Sequence, residues 1–278
     1  MKYQNTTSSL IHLQSIHSVL ANFVPLLYKQ HTSTKTRFRA LCLNLVLVAC
    51  CMHIQNAIAN ELEGAWELDA YQTADENIKV TGLLVLQEKN FGTIYLIESE
   101  NGNLSARSHT GEYHVKDDQL FFDVQLWVEE VDKVARIIPA TKVGPHIELN
   151  GEELVLRFDS GSSQTLSKLS PRDSMKDGGD WQLKNINIMN GSDSAKGSLV
   201  TAGSHFVLVY LDGERAGWGY GGLYDHQQRK LEVNWNQSFK NGKGSITSKQ
   251  EKAVISTEYA EPVLIVRDSD GNKLEFTQ

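Results

Sequence analysis

The segment Gly217–Tyr224 gathers the side chains best suited to bind a small molecule. If this segment is extended, its aromatic residues share one face and its alternate glycines share the other. We predict a ligand site in which Trp218, Tyr220 and Tyr224 are joined by Trp235 from a later strand. One interpretation is an aromatic wall for an apolar ligand or a sugar, with bare backbone on the opposite side. The other is a tightly coiled barrel strand whose aromatic side chains fill the interior.

The sequence shows no catalytic constellation. The glycine spacing of Gly217–Gly222 differs from that of a dinucleotide-binding loop, and no helical pattern follows it. The Gly-Ser-Ser run at 161–163 lies in a turn-like stretch and not in a nucleophile elbow. Clustered carboxylates such as Glu129 and Glu130 are typical of a solvated face. We therefore predict no catalytic residue and no cofactor.

The histidines after residue 59 do not have the spacing of helical metal ligands. We predict that they are isolated surface residues and that there is no metal site. The alternative is a metal site in which His109 and His114 meet across a turn beside Glu112. The histidines concerned are His109, His114, His146, His205 and His226.

The cysteines Cys42, Cys50 and Cys51 all lie near the N-terminus. The rest of the chain therefore has no disulfide, thiol nucleophile or zinc–thiolate site. Each domain must then be stabilised by its own hydrophobic core.

The charge distribution divides the chain at residue 59. The formal net charge is −7 in total, but residues 1–59 contain no acidic residue. Residues 60–278 carry 22 basic and 34 acidic residues, a net charge of −12. We therefore expect no nucleic-acid partner, because binding to phosphates needs a basic patch.

The segment before residue 60 resembles a signal sequence in its layout. Basic residues at 35–39 precede an apolar run at 40–54 and the small-x-small triplet Ala57–Ala59. This is the order of a secretory signal peptide. The apolar run is shorter than the 20 or so residues that a membrane span needs. We predict export, periplasmic or secreted, with cleavage before Asn60.

Two features of this segment leave alternatives open. Leu47-Val48-Ala49-Cys50 has the form of a lipobox, in which Cys50 would be acylated and become the N-terminus of an anchored lipoprotein. Residues 1–34 have no place in a signal peptide, and they are either a start assigned too far upstream or a genuine polar extension.

An internal repeat organises the rest of the chain. Residues 64–96 and 179–211 align without gaps, with nine identities in 33 positions, which predicts a tandem duplication. The alignment continues beyond this segment with small changes in offset, so that Gly111 corresponds to Gly222. The predicted organisation is an extension plus signal peptide at 1–59, one domain at 60–169 and a second at 170–278, with a linker at 167–178.

Short alternating segments within each repeat predict β-strands. Leu120, Phe122, Val124, Leu126 and Val128 occupy every second position, as in a strand with one buried face. Many short antiparallel strands per repeat predict a closed barrel or a sandwich, since closure removes exposed edges. We therefore predict an all-β protein of two tandem small antiparallel β-barrels.

Each repeat begins with Gly-x-Trp, at Trp66 and Trp181, and carries an arginine on its last strand, at Arg157 and Arg267. This combination resembles the lipocalin-like (calycin) domains. The resemblance implies that Trp66 stacks on Arg157, and Trp181 on Arg267, at the end of each barrel, each contact contributing about 0.5–2 kcal/mol. The repeats are shorter than ordinary lipocalins and lack the Thr-Asp-Tyr motif and disulfides, so they are more similar to compact bacterial lipocalin-like domains.

A barrel of this size can hold one small ligand. We therefore predict an exported, non-enzymatic protein that binds a small apolar (hydrophobic) or amphipathic molecule. One alternative is an interaction or structural module with solid barrel cores that docks a cell-envelope protein. Another is an enzyme acting on a lipid-like substrate, which would need a buried polar group with a shifted pKa inside the barrel. Membrane association is expected only if Cys50 is lipidated.

Overall fold

Alternating apolar residues fold most of the described chain into β-strands. The computed structural model describes residues 60–73, 77–98, 102, 104–117, 119–131, 134–137, 141–169, 180–187, 195–213, 216–225, 230–240, 243–247, 253–260, 263–267 and 273–277. The first half contains β1 (Gly64–Gln72), β2 (Asn77–Gln87), β3 (Asn90–Glu98), β4 (Leu104–Lys116), β5 (Gln119–Val131), β6 (Val134–Ile137), β7 (Thr141–Val143), β8 (His146–Asn150), β9 (Glu153–Arg157) and β10 (Ser163–Lys168). The second half contains β11 (Asp180–Asn187), β12 (Ala195–Ala202), β13 (His205–Asp212), β14 (Ala216–Asp225), β15 (Lys230–Lys240), β16 (Lys243–Thr247), β17 (Ala253–Ala260), β18 (Val263–Arg267) and β19 (Lys273–Thr277).

The first half is a closed, eight-stranded antiparallel barrel. Strands β1 to β5 pair in chain order, β5 pairs with β8, and β8, β9 and β10 continue the sheet. Pairing of β10 with β1 closes the ring, while β6 and β7 pair with β5 outside it. The predicted all-β class and a closed antiparallel barrel are confirmed.

The strands of the second half pair in the corresponding order. Strands β11 to β15 follow one another, β15 pairs with β17, and β18 and β19 lead back to β11. Strand β16 pairs with β15 outside this series.

A β-bulge interrupts the same strand pair in both halves. The register of β4 and β5 shifts at Gly111, so that Gln125 of β5 has no residue paired with it. A Cβ on Gly111 would overlap the carbonyl oxygen of Asp123, which is why the close approach requires glycine. Strands β14 and β15 shift likewise at Gly222, where Asn234 is passed over.

The bulge reverses the side-chain alternation of β5. Before it, Leu120, Phe122 and Val124 belong to the barrel interior. After it, Leu126 and Val128 belong to the face that packs on the second half. The prediction of one continuous buried face along this strand is therefore wrong, because the extra residue turns the rest of the strand over.

The buried side chains form three clusters. The first interior cluster contains Leu62, Trp66, Leu68, Leu84, Leu86, Phe91, Tyr113, Leu120, Phe122, Val124, Leu154, Leu156 and Leu166. The second interior cluster contains Leu199, Phe206, Leu208, Tyr210, Ala216, Trp218, Tyr220, Leu231, Val233, Leu264, Val266, Leu274 and Phe276. The shared cluster joins the two halves through Ala65, Leu83, Val85, Ile94, Leu96, Ala106, Leu126, Val128, Val200, Ala202, Val207, Val209, Leu211 and Trp235.

Alternate glycines of β14 lie directly against the first barrel. A Cβ on any of them would overlap or crowd a side chain of β3, β4 or β5. The contacts are Gly217 with Val128, Gly219 with Ser108 and Gly221 with Ile94. The bare face predicted for this segment thus allows the two halves to pack closely.

Several predictions fall on other parts of the chain. The signal segment at 1–59 with its cysteines, the side chain of Trp181, His226 and residues 170–178 of the predicted linker lie outside the described residues. Ser167, expected to open that linker, belongs instead to β10. Among the described residues, no helix has the length and apolar character needed to cross a bilayer.

Candidate ligand site in the first barrel

The interior of the first barrel contains a cavity of about 250 Å³. Most of its wall is apolar, and polar side chains lie among the apolar ones, on β3 and β4 and also near β10, at Ser160, Ser162 and Gln164. The lining on the β3, β4 and β5 side includes Phe91, Tyr95, Arg107, His109, Trp127 and Val143. Interiors of this kind suit a molecule with a hydrocarbon body and one polar end.

The bulge at Gln125 places polar side chains of β5 on the inner side of the barrel. Because the alternation of β5 reverses there, Trp127 lines the cavity and Glu129 is almost completely buried. Glu129 faces the neighbouring strand β4, which presents Arg107 and His109. We name Tyr95, Arg107, His109, Trp127 and Glu129 the polar corner.

Arg107 is the cation of the polar corner. Its Nε lies 2.5 Å from Oε1 of Glu129, whose side chain is 3% exposed. Arg107 also forms a side-chain hydrogen bond with Tyr95. Burial raises the pKa of Tyr95, and the charge of Arg107 offsets this only in part, so the phenol stays neutral. The one positive charge is therefore balanced by one negative charge.

His109 is the central ring of the polar corner. Its ring centroid lies 4.4 Å from that of Trp127 and 5.8 Å from that of Tyr95, both in edge-on contacts. Burial, assisted by the charge of Arg107, lowers the pKa of His109 from 6.5 to about 3. The imidazole is thus neutral at pH 7.

Apart from Nε of Arg107, which contacts Glu129, two nitrogens of the polar corner have no hydrogen-bond partner among the described residues. They are Nε2 of His109 and Nε1 of Trp127, and both are buried. A buried polar atom without a partner is destabilising by about 1–3 kcal/mol. The cavity beside these rings is therefore a place where a ligand oxygen could gain hydrogen bonds.

The prediction of surface histidines is wrong for two of the four that the structure describes. His109 and His205 are buried, whereas His146 is exposed and His114 is exposed and stacks on Phe121. His109 and His114 lie on opposite faces of β4 and do not meet. Among the described residues, no group of three or more His, Cys, Asp or Glu side chains is placed to hold a metal ion.

Two of the four predicted ligand residues belong to the second interior cluster, and a third packs against it. Trp218 and Tyr220 are each 2% exposed, and Tyr224 packs against the cluster while partly exposed. Tyr210 stacks on Trp218 with ring centroids 4.6 Å apart, and it lies 6.2 Å from Tyr220. These aromatic side chains pack on one another within the second half.

Trp235 does not join the other three predicted ligand residues. The bulge at Asn234 reverses the alternation of β15 and places Trp235 in the shared cluster. Its Nε1 donates a hydrogen bond to Oγ1 of Thr81, across 3.2 Å. The prediction that Trp235 completes a site with Trp218 is corrected by this one-residue shift.

The cation beside Trp66 is also different from the one that the resemblance implies. Nζ of Lys168 lies 5.0 Å from the ring centroid of Trp66 and donates to the carbonyl oxygen of Glu61. Arg157 instead forms a bidentate, exposed ion pair with Glu148. Lys168 reaches the ring because β10 pairs with β1 and places it opposite Trp66.

The second predicted barrel-end pair is described only in part. Arg267 is exposed at the end of β18, where its backbone pairs with Lys273 of β19. Its predicted partner ring, Trp181, is described by its backbone only. The contact between Trp181 and Arg267 stays a prediction.

No family model and no curated protein matches the chain. A solved structure, Aeromonas veronii immune modulator A, matches 77% of this chain and 93% of its own, with 12% sequence identity and a TM-score of 0.23. At this TM-score the likeness supports no statement about activity.

Proposed function

We propose that the protein binds a small amphipathic molecule inside the first barrel. The observation that carries this proposal is a cavity of about 250 Å³ whose largely apolar wall includes residues of the polar corner. A closed barrel supplies a rigid container, and a few polar groups in an apolar pocket orient a ligand. The proposal keeps the ligand class expected from the sequence and moves its site from the second half to the first.

The second half is not the ligand-binding half in this proposal, and its packing favours a different function. Its interior contains the stacked rings of Tyr210, Trp218 and Tyr220, each no more than 2% exposed. Such filling favours the second candidate function, an interaction or structural module with a solid core. A cell-envelope protein is the expected partner of that module.

An enzyme acting on a lipid-like substrate is less well supported. His109 is a buried polar group with a shifted pKa inside the barrel, as that hypothesis requires. Its pKa of about 3 lies far below the range in which an imidazole is an effective general base at neutral pH. We therefore assign His109 a role in binding.

The architecture that goes with this function is a tandem pair of lipocalin-like barrels. Two observations support duplication. The strands of both halves pair in the same order, and both halves place a glycine at the bulge, Gly111 and Gly222, against a carbonyl oxygen of the next strand. The lipocalin-like assignment rests on the Gly-x-Trp motifs.

The proposed location is outside the cytoplasm. The basic stretch, the apolar run and the Ala57–Ala59 triplet support export with cleavage before Asn60. The lipoprotein alternative has Cys50 as the acylated N-terminus. The intact mass of the protein from its own host distinguishes the two products.

Native mass spectrometry of the protein purified from its own host tests the proposed function. We expect a bound small molecule that denaturing extraction releases in about one copy per chain. Val143→Phe, which adds bulk to the cavity wall, should abolish the bound mass. Val115→Phe is the matched control, because Val115 packs against the first interior cluster without lining the cavity. Recovery of ligand-free protein from every growth condition would contradict the proposal.

A further inference from the structure

The charges of the polar corner cancel within the protein. Arg107 contributes one positive charge and Glu129, in contact with it, contributes one negative charge. Tyr95 and His109 are neutral at pH 7, because the pKa of the phenol is raised from 10.0 and that of the imidazole is lowered to about 3. An ionic ligand group would therefore bring an uncompensated charge into a buried site, which is strongly unfavourable.

The unpartnered nitrogens specify the polar end of the ligand more closely. Nε1 of Trp127 can only donate, so it needs an oxygen acceptor. Nε2 of neutral His109 accepts or donates according to its tautomer. The two rings are 4.4 Å apart, so one ligand group can lie against both. A hydroxyl group suits this pair, because it accepts from Trp127 and can also donate to His109.

The cavity volume limits the size of the ligand. An apolar cavity of roughly 150 Å³ binds benzene, which has six non-hydrogen atoms. Scaled in proportion, a cavity of about 250 Å³ holds about ten such atoms. The apolar wall, including Phe91 and Phe122, then contacts a hydrocarbon body of medium length.

We propose that the ligand is an uncharged alcohol of about ten non-hydrogen atoms whose hydroxyl lies against His109 and Trp127. This inference rests on the proposed function of the same cavity and specifies its ligand class. A carboxylate is disfavoured because it would lie close to the carboxylate of Glu129 with Arg107 as a single shared cation. An ammonium is disfavoured because Arg107 and the N–H of Trp127 repel it.

Competition binding with three probes of equal chain length tests the ligand class. Full-length mature protein is first saturated with 1-naphthylamine, which is uncharged at pH 7 and close to the cavity in size, and whose fluorescence reports displacement from the cavity. The competitors are 1-nonanol, nonanoate and nonylammonium at pH 7. We expect 1-nonanol to bind at least tenfold more tightly than either ion, and Val143→Phe to weaken all binding.

Two variants test the effect of charge on ligand choice, and a third tests the N–H of Trp127. Glu129→Gln leaves Arg107 uncompensated and should raise the affinity for nonanoate at least tenfold. The double variant Arg107→Met with Glu129→Met removes both charges and should retain the preference for 1-nonanol. Trp127→Phe replaces the indole with a smaller phenyl ring that has no N–H, so it should weaken the binding of 1-nonanol at least fivefold.

The outcomes distinguish this inference from the proposed function. In the unaltered protein, nonanoate or nonylammonium could bind as tightly as 1-nonanol, and Val143→Phe could block that binding. This result would overturn the inference that the ligand is an alcohol, but it would support the proposed binding function. Failure of all three competitors and of the fluorescent probe would overturn both.

Discussion

Ser108 of β4 lies directly against Gly219 of β14, and each of these residues precedes the bulge glycine of its own strand by three positions. The contact therefore joins corresponding positions of the two halves. A second pair of contacts shows the same symmetry. Val128 of the first half contacts Gly217 of the second half. Gln237 corresponds to Val128 in the second half, Ala106 corresponds to Gly217 in the first, and these two residues are joined by a hydrogen bond of 3.2 Å. The two halves thus meet through like surfaces, as in a two-fold interface.

The first prediction concerns this contact. In Gly219→Ala, the new Cβ overlaps the side chain of Ser108, and the backbone of both strands is held by neighbouring pairs. We expect the variant to lower the free energy of unfolding by about 1–3 kcal/mol, as overpacked cores do. Urea denaturation followed by tryptophan fluorescence measures the change.

A second substitution and a control make this prediction specific. Ser108→Gly combined with Gly219→Ala should recover part of the lost stability, since the two residues share one space. Gly144→Ala is the control, because its Cβ meets only the flexible ring of Phe121 at 3.0 Å, and its effect should stay within about 0.5 kcal/mol. Equal stability of Gly219→Ala and the unaltered protein would show that β4 and β14 do not pack this way.

The strands could be predicted from the sequence, but the faces of β5 and β15 could not. Leu126 and Val128 preserve the every-second-residue pattern of Leu120 although they point to the other side of the sheet. The buried apolar side chains of this strand face the barrel interior before the bulge and the second half after it. A period-two pattern therefore cannot reveal the extra residue at Gln125.

The polar corner was missed for the same reason. With unbroken alternation, Trp127 and Glu129 belong to the solvent side, and the run of carboxylates that contains Glu129 is also typical of a solvated face. An available signal was the pair of equivalent glycines, Gly111 and Gly222, inside otherwise continuous strand patterns. Glycine within a strand is a common sign of a bulge.

The second prediction concerns the buried amide that holds β4 in place. Gln237 accepts from Oγ of Ser108 over 2.9 Å and donates to the carbonyl oxygen of Ala106. Gln237→Leu leaves both partners buried without their hydrogen bonds, so we expect a loss of about 1–3 kcal/mol in the free energy of unfolding. Chemical denaturation measures the loss.

A matched glutamine is available as the control for this change. Gln119 also bonds through its side chain, to the ring of His146, but on the exposed surface. Gln119→Leu should change stability by less than about 0.5 kcal/mol. If both variants lose the same stability, burial of the Gln237 amide is not the reason for its effect.

The third prediction separates Lys168 from Arg157 as the cation that supports Trp66. Lys168→Met removes the ammonium above the ring and its hydrogen bond to Glu61, and we expect a loss of about 0.5–1 kcal/mol. Arg157→Met breaks only an exposed ion pair with Glu148, so its urea midpoint should equal that of the unaltered protein. A larger midpoint shift for Arg157→Met than for Lys168→Met would favour the pairing implied by the lipocalin-like resemblance.

The fourth prediction follows from the burial of His109. Its pKa is lowered from 6.5 to about 3 in the folded protein, so below pH 6.5 the unfolded chain binds a proton that the folded chain does not. The free energy of unfolding is therefore unaffected by this group above pH 6.5 and decreases as the pH falls from 6.5 towards 3. Between pH 6.5 and about pH 4.5 the loss amounts to roughly 2 kcal/mol.

His109→Phe removes this titration while keeping an aromatic ring beside Tyr95 and Trp127. The variant should lose roughly 2 kcal/mol less stability than the unaltered protein between pH 6.5 and about pH 4.5, because no buried imidazole resists protonation. Urea denaturation at a series of pH values measures both curves. Thr93 lines the same cavity, and Thr93→Val keeps His109. This control variant should therefore retain the steeper dependence of the free energy of unfolding on pH. Parallel curves for His109→Phe and the unaltered protein would mean that His109 is protonated as readily in the folded chain as in the unfolded one.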